Sequence, residues 1–192
     1  MNSNRLVFTG EVSVDAFSYF ASIQRSWVLN DVGDPDADVD EDRPSVAWRT
    51  PAGGVKFVDD TVIRCQYVEI IESLTGDAES KIRENFHCHD RAAAISKLDL
   101  NQSEASVRRG YRFIACLMGK YDRQVFDLAI DGLRSERDDI RESALIVPQY
   151  THWVEFLPEV TRLSESDPSD VVRRIAGGIA VLLEFAAAVE ES

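Results

Sequence analysis

A short pattern recurs through the second half of the chain and limits what that half can become. Three times an apolar segment ends in leucine, a polar and acidic turn follows, and an apolar–arginine step opens a new apolar helix: Leu98 then Val107-Arg108, Leu133 then Ile140-Arg141, Leu163 then Val171-Val172-Arg173. From Val107 to Ile140 to Val172 the spacing is 33 and then 32 residues, within the range of helical repeats. One such helix pair cannot bury its own apolar face, so neighbours must stack and share a core. The pattern constrains architecture and names no substrate.

Around these steps, apolar periodicity predicts helix after helix from Asp77 onward. Ala78 to Phe86 and His89 to Leu98 are short. Ser103 caps a longer helix bearing Val107, Tyr111, Ile114, Ala115 and Met118, closed by Gly119. Val125, Leu128, Ala129 and Leu133 mark the next. Ile140, Ala144 and Val147 follow until Pro148, which lacks a backbone donor and is expected to end or kink the helix. Trp153, Val154, Leu157, Val160 and Leu163 belong to a further segment with Pro158 in a first turn. Asp170 is expected to cap the last helix, through Ile175, Ile179, Leu182 and Leu183.

Residues 1–75 read as something else. Leu6-Val7-Phe8 before Gly10 suggests a strand, and Ser13 caps an amphipathic helix expected to run to Asn30 with Val14, Phe17, Phe20 or Ala21 and Trp27 on its apolar side. Val46–Arg49, Thr50-Pro51-Ala52-Gly53-Gly54 and Val55–Val58 form a hairpin pattern with a glycine turn. Asp59 and Asp60 are expected to cap a helix carrying Ile63, Tyr67, Ile70, Ile71 and Leu74 and ending at Gly76. Between the first helix and the hairpin lies the acidic stretch 31–42. Its alternate carboxylates at Asp34, Asp36, Asp38, Asp40 and Asp42 suggest a calcium loop, but neither register works. Val39 or Glu41 stands where the loop needs glycine, and Ser45 or Ala47 where it needs a bidentate glutamate. The stretch reads as a solvated, self-repelling loop.

At Asp138-Asp139-Ile140-Arg141-Glu142-Ser143-Ala144 and at Asp167-Pro168-Ser169-Asp170-Val171-Val172-Arg173-Arg174-Ile175-Ala176 the chain resembles HEAT repeats. The likeness lies in a short Asp/Pro turn, a valine–arginine step and a downstream alanine. Ser103 to Tyr111 is a weaker copy with Gly110 and Tyr111 where alanine is usual, and the stretch from Leu74 to Arg83 a truncated one. The resemblance covers at most residues 75–192. It implies an α-solenoid of stacked antiparallel helix pairs, a fold used chiefly as a protein-binding surface. The expected fold is therefore mostly α: a small α+β unit over residues 1–75, then a short HEAT-like α-solenoid over 76–192. In such a stack Arg108, Arg141 and Arg173 are expected at inter-helix turns, paired with Asp or Glu of the adjacent repeat rather than forming an anion-binding row.

Charge and chemistry narrow the function classes. A net charge of −13 disfavours sequence-independent nucleic-acid binding and adhesion to anionic membranes, and it suits a basic protein partner. No apolar run is long enough to span a bilayer and no signal-peptide pattern opens the chain, so a cytoplasmic location is expected. Three widely spaced cysteines imply no disulfide framework. His87-Cys88-His89-Asp90 is the one compact set of metal-ligand types, and His152 is the sole other histidine. The set is expected to be a turn, with no metal and no cofactor. Two surface groups stand out as binding candidates: the basic island Arg108, Arg109, Arg112, Lys120 and Arg123, and the aromatic group Tyr150, His152, Trp153 and Phe156 around Pro148 and Pro158. Arg109, Arg112, Tyr150, His152 and Trp153 are the residues expected to bind. Trp153 qualifies as an anchor only if it is exposed. The expected function is a non-enzymatic protein that binds another protein through an acidic helical-repeat surface, in a specific form a toxin-immunity or inhibitor protein. The alternative is a metal-dependent enzyme using His87, His89 and Asp90.

Overall fold

Alternating side chains over Asn2–Phe8 (β1), Ser45–Thr50 (β3), Gly53–Asp60 (β4) and Cys65–Glu72 (β5) build an antiparallel sheet. Two-residue strands, Val28–Leu29 (β2) and Cys88–His89 (β6), close its edges, giving the order β2-β3-β4-β5-β1-β6. These details come from a computed structural model that describes residues 2–29, 43–72 and 77–190. The acidic stretch 31–42 expected to be a loop, together with Leu74 and Gly76, lies outside the described residues. The chain divides into a sheet unit, Met1–Ala92, and a helical unit, Ala93–Ser192.

Period two places Leu6 and Phe8, Trp48, Val55 and Phe57, and Val68 and Ile70 on one face of the sheet. On that face sits α1 (Val14–Tyr19), capped by Ser13 Oγ accepting from the Ala16 amide at 3.1 Å. The Phe17 ring lies 5.2 Å from Trp48, 5.3 Å from Phe57 and 5.4 Å from Phe86 between centroids, so one aromatic side chain ties helix to sheet. The helix does not reach Asn30. After a π-turn over Phe20–Gln24 the chain takes a left-handed residue at Ser26, buries Trp27 and pairs Val28 with Arg49.

Three further expectations for this unit are corrected. Where a helix was expected after Asp59 and Asp60 the chain forms the strand β5, because apolar residues line both its faces: Tyr67 and Cys65 on one, Val68 and Ile70 on the other, all buried. Burial on both sides makes a strand imitate helical spacing. Asp60 caps no helix. Wholly buried, it accepts from the Ile63 amide at 3.1 Å in the β4–β5 turn and pairs with Arg43 at 3.0 Å. The β3–β4 turn is Pro51-Ala52, with Gly53 and Gly54 already in β4 opposite Thr50 and Arg49. The unit also runs past residue 75. The next helix, α2 (Ala78–Asn85), buries Ala78 and Ile82 in the sheet's core, and β6 hydrogen-bonds to β1.

The helical unit contains the end of α3 (Arg91–Lys97), then α4 (Glu104–Leu117), α5 (Arg123–Leu133), α6 (Asp138–Ala144), α7 (Ile146–Thr151), α8 (Leu157–Ser166) and α9 (Asp170–Glu190). Each step residue of the repeat (Val107, Ile140 and Val172) is buried. Ser103 Oγ caps α4 through the Ser106 amide, as its sequence indicates. For α9 the acceptor is Ser169 Oγ, with Asp170 in the first turn. Pro148 breaks the helix as its sequence indicates: it cannot donate to the Ala144 carbonyl four residues back, so the break falls one turn upstream at Leu145, and Pro148 itself occupies the first turn of α7. That break splits one helix position into two short pieces. As a result α4 packs on both α6 and α7, α6 on α5 and α9, and α8 on α9. The protein is thus largely helical with an N-terminal α+β sheet unit, and its helix contacts are not the simple sequential stacking of a HEAT solenoid.

Gly110 and Tyr111, where the resemblance leads one to expect alanine, have a packing reason. Tyr111 is fully buried and its Oη donates to the Leu128 carbonyl at 3.4 Å. A Cβ on Gly132 would stand 2.0 Å from that hydroxyl, and one on Gly110 would stand 2.7 Å from Leu98 Cδ1. Among the described residues no helix is long and apolar enough to cross a membrane.

Candidate functional site

The arginines of the recurring step are structural. Arg141 and Asp167 are 6% and 2% exposed, and they form a two-point pair: Nε to Oδ2 at 2.7 Å and Nη2 to Oδ1 at 2.9 Å. The remaining nitrogen, Nη1, donates to the carbonyls of Ser135 and Glu136. The Asp167 carboxylate also accepts from the Ser169 amide, and Arg173 bonds the Asp167 carbonyl and Asp170. Burial works to raise the Asp167 pKa, but the Arg141 fork and the Ser169 amide hold it below the ordinary carboxylate range. Arg108 bridges Glu104 at 2.7 Å and Glu142 at 3.1 Å. The planar guanidinium supplies several donors in fixed directions, so one side chain satisfies both a carboxylate and the open carbonyls of a turn.

A second buried carboxylate has a similar setting. Glu159 is 6% exposed, one oxygen accepting from Arg134 and the other from Arg162. Here too burial pushes the carboxyl up and the two guanidiniums more than offset it. Glu159 follows Pro158 in the first turn of α8, and the i,i+3 spacing to Arg162 was the signal that could have found it.

An aromatic corner forms where the α4–α5 loop meets the chain leading into α8. Trp153 lies parallel to Phe156 at 6.0 Å, Phe156 lies 4.7 Å from Phe126, and Tyr121 stands edge-on to Trp153 at 5.2 Å. Trp153 is 7% exposed, so it is a base of the corner rather than an exposed anchor. Its indole Nε1 is buried with no acceptor among the described residues. Tyr121 is the exposed member, at 42%. Lys120, next to Tyr121 in the chain, and His152, next to Trp153, are exposed as well, and His152 ends α7 in the left-handed conformation. Tyr121 is not among the residues expected to bind; its signal in the sequence is a lone aromatic between Lys120 and the Asp122 cap of α5.

The other candidates are dispersed or occupied. Arg109 is exposed, its guanidinium 5.1 Å from the Phe113 ring, and Arg112 is half-buried. Tyr150 is half-buried on α7, which packs on the α4 helix that carries both arginines. Arg123 pairs with Asp127 at 3.0 Å, so the basic island is compensated locally. His87, Cys88 and His89 do fall between two short helices, α2 and α3, but as the edge strand β6 and its flank rather than as a bare turn. Period two sends Cys88 toward the sheet core and its two neighbours the other way. Asp90 pairs with Arg83 at 2.8 Å. Among the described residues no three His, Cys, Asp or Glu side chains come together to hold a metal ion. None of the three cysteines is in a disulfide; Cys65 and Cys116 are buried, Cys65 in a strand rather than in the expected helix.

Scans of the chain against protein-family models, curated proteins and solved structures each returned no match. The HEAT resemblance therefore rests on the residues of the recurring step alone.

Proposed function

We propose that this chain is a non-catalytic binding protein that engages a basic protein through its helical unit, with the Tyr121 corner as an anchor. Tyr121 carries the reading. An exposed aromatic ring held edge-on against a buried tryptophan offers contact area at little cost in side-chain entropy, and such rings are favoured anchors at interfaces. The polarity of the partner follows from charge. Residues 93–192 alone hold seventeen acidic and twelve basic side chains, so the acidity is not confined to residues 31–42. Long-range attraction would speed encounter with a cationic surface. A toxin-immunity or inhibitor protein, masking a basic enzyme, is the specific form that agrees with size and charge. A HEAT-like presentation of the surface is the form that agrees with the recurring step.

The test is capture from the protein's own cell extract on the immobilised full chain. The expected result is a retained basic protein that elutes as salt rises, with retention lowered about tenfold by Tyr121→Ala, a loss in the range of an interface hot spot. The variant must keep the helical signal of the parent. Retention that ignores both salt and Tyr121 would overturn the reading.

A further inference from the structure

A cleft opens in the sheet unit between the β1–α1 loop and the link from α2 to β6. Its volume is about 430 Å³, and Glu11, Val12, Ser13, Ala16 and Phe86 line it. That size lies within the roughly 300–1,000 Å³ of small-molecule sites. The walls are fixed. Thr9 donates its amide to the His87 carbonyl at 3.0 Å and the Val12 amide donates to Gln66 Oε1 at 2.8 Å, so the loop is tied down at two points. Phe86 is held by other rings, its centroid 5.7 Å from Phe8, 5.4 Å from Phe17 and 5.1 Å from Phe20. Yet Phe86 is only half-buried, and Ala16, which shares the cleft, is exposed. A ring locked into a core on one side and open on the other is a preformed apolar surface. Little side-chain freedom is lost when a ligand settles on it.

We infer that this cleft binds an organic cation, an ammonium or guanidinium group on an apolar stem. Glu11 is the one charged residue among the described residues that line it, and it is exposed. Its carboxylate makes no ion pair among the described residues, so it has no internal cation to give up. Asp15, between Ser13 and Ala16 in the chain and also exposed, adds a second negative charge and offsets the positive end of the short helix α1. The stem packs on the Phe86 ring while the charged head reaches the Glu11 carboxylate, the division of labour natural to long cationic side chains. An anion would meet Glu11 with no basic residue in the lining to answer it. A neutral apolar ligand would take water from that carboxylate and return nothing. Lysine and arginine side chains have the required chemistry, and so do free alkylamines and alkylguanidines. The inference does not depend on the Tyr121 corner or on its partner.

NMR of the full chain, with n-butylguanidinium added in steps, tests this. The expected result is saturable shifts at Glu11, Val12, Ser13, Ala16 and Phe86 with a Kd on the order of millimolar, in keeping with so few ligand atoms. Glu11→Gln, a change at an exposed side chain, should weaken binding by about three- to fivefold. Added salt should weaken binding to the parent and leave the variant nearly unchanged. Ala16→Leu, which fills the cleft from an exposed position, should abolish the shifts while the rest of the spectrum stays that of a folded chain. n-Butanol, a similar stem without the charge, should bind about threefold or more weakly than the cation. N-acetyl-arginine methylamide separates the two sources. Binding as tight as that of n-butylguanidinium assigns the cleft to a side chain displayed by a protein, and weaker binding assigns it to a free small cation; either upholds the site. A spectrum unchanged up to about 50 mM n-butylguanidinium overturns the inference. So does n-butanol binding as well as the cation, or Glu11→Gln binding like the parent.

Discussion

The two units are held together by different chemistry. In the sheet unit the centre is a continuous aromatic and aliphatic cluster, with Phe17 in ring contact with Phe8, Phe20, Trp48, Phe57 and Phe86. No carboxylate lies in that cluster, and buried Asp60 stands apart at a turn. In the helical unit, charges are carried into the packing: Arg141 with Asp167, and Glu159 between Arg134 and Arg162. The sheet unit gains from area removed from water, a contribution that is non-directional and tolerant of small shifts. The helical unit gains register. A bidentate pair between α6 and the α8–α9 turn is satisfied in one alignment only, which fixes how short helices of similar apolar face must sit. A buried pair of this kind is weak support for net stability, because desolvation consumes much of the attraction, but losing one partner is severe.

The largest expected effect follows from that asymmetry. Arg141→Ala leaves the Asp167 carboxylate buried without its fork and frees the Ser135 and Glu136 carbonyls. It should destabilise the helical unit by about 3–5 kcal/mol. Phe17→Ala should cost the sheet unit a similar amount, about 3–5 kcal/mol, through a cavity instead of a stranded charge. The distinction appears in Arg141→Met paired with Asp167→Leu, which removes both charges at similar volume and should recover most of the loss. Denaturant melts of all three, followed by residue-resolved hydrogen exchange, check this. A double variant no better than Arg141→Ala would break the contrast, since packing rather than charge would then hold that joint.

Acid should separate the units next. Asp167 and Glu159 both have their pKa lowered in the folded state. A depressed carboxylate contributes stability that is complete above the unfolded value, about 3.9 for Asp and 4.3 for Glu, and is lost as pH falls through the folded value. The helical unit should therefore hold from neutrality to about pH 5 and weaken below about pH 4. Helical circular dichroism and hydrogen exchange across a pH series should show α6, α8 and α9 opening before β4 and β5. Strands that open first would refute the contrast.

How much of this was legible in the sequence follows the same division. The recurring apolar–arginine step gave the helices of residues 104–190 and the role of Arg141, because a 3.6-residue period and a paired arginine are both local patterns with a physical meaning. Its weakness was order: Pro148 marks the break one turn upstream at Leu145, but nothing local shows that the break lets α4 reach both halves. In the sheet unit the hairpin was readable from alternation, while β5 was not. Tyr67, Val68 and Ile70 are buried together, and a strand covered on both faces loses the polar alternation that marks one. The Tyr121 corner was half visible. Trp153 and Phe156 stood out by composition, but which aromatic is exposed depends on how α4, α5 and α8 meet, and no sequence period records that.

The smallest effects come from two glycines of the helical unit, and they are expected to have opposite signs. Gly178→Ala puts a methyl into open space and removes the entropic penalty of a mid-helix glycine. In dilute solution it should stabilise the helical unit by about 0.5–1 kcal/mol. Gly132→Ala, in the last turn of α5, would drive a methyl to within 2.0 Å of the Tyr111 hydroxyl and 2.8 Å of the Ala144 Cβ, so it should destabilise by about 1–3 kcal/mol. Thermal melts at low concentration compare the two directly. Opposite signs would show that one glycine is demanded by the core and the other is not. A destabilising Gly178→Ala would mean that α9 meets a constraint inside its own unit.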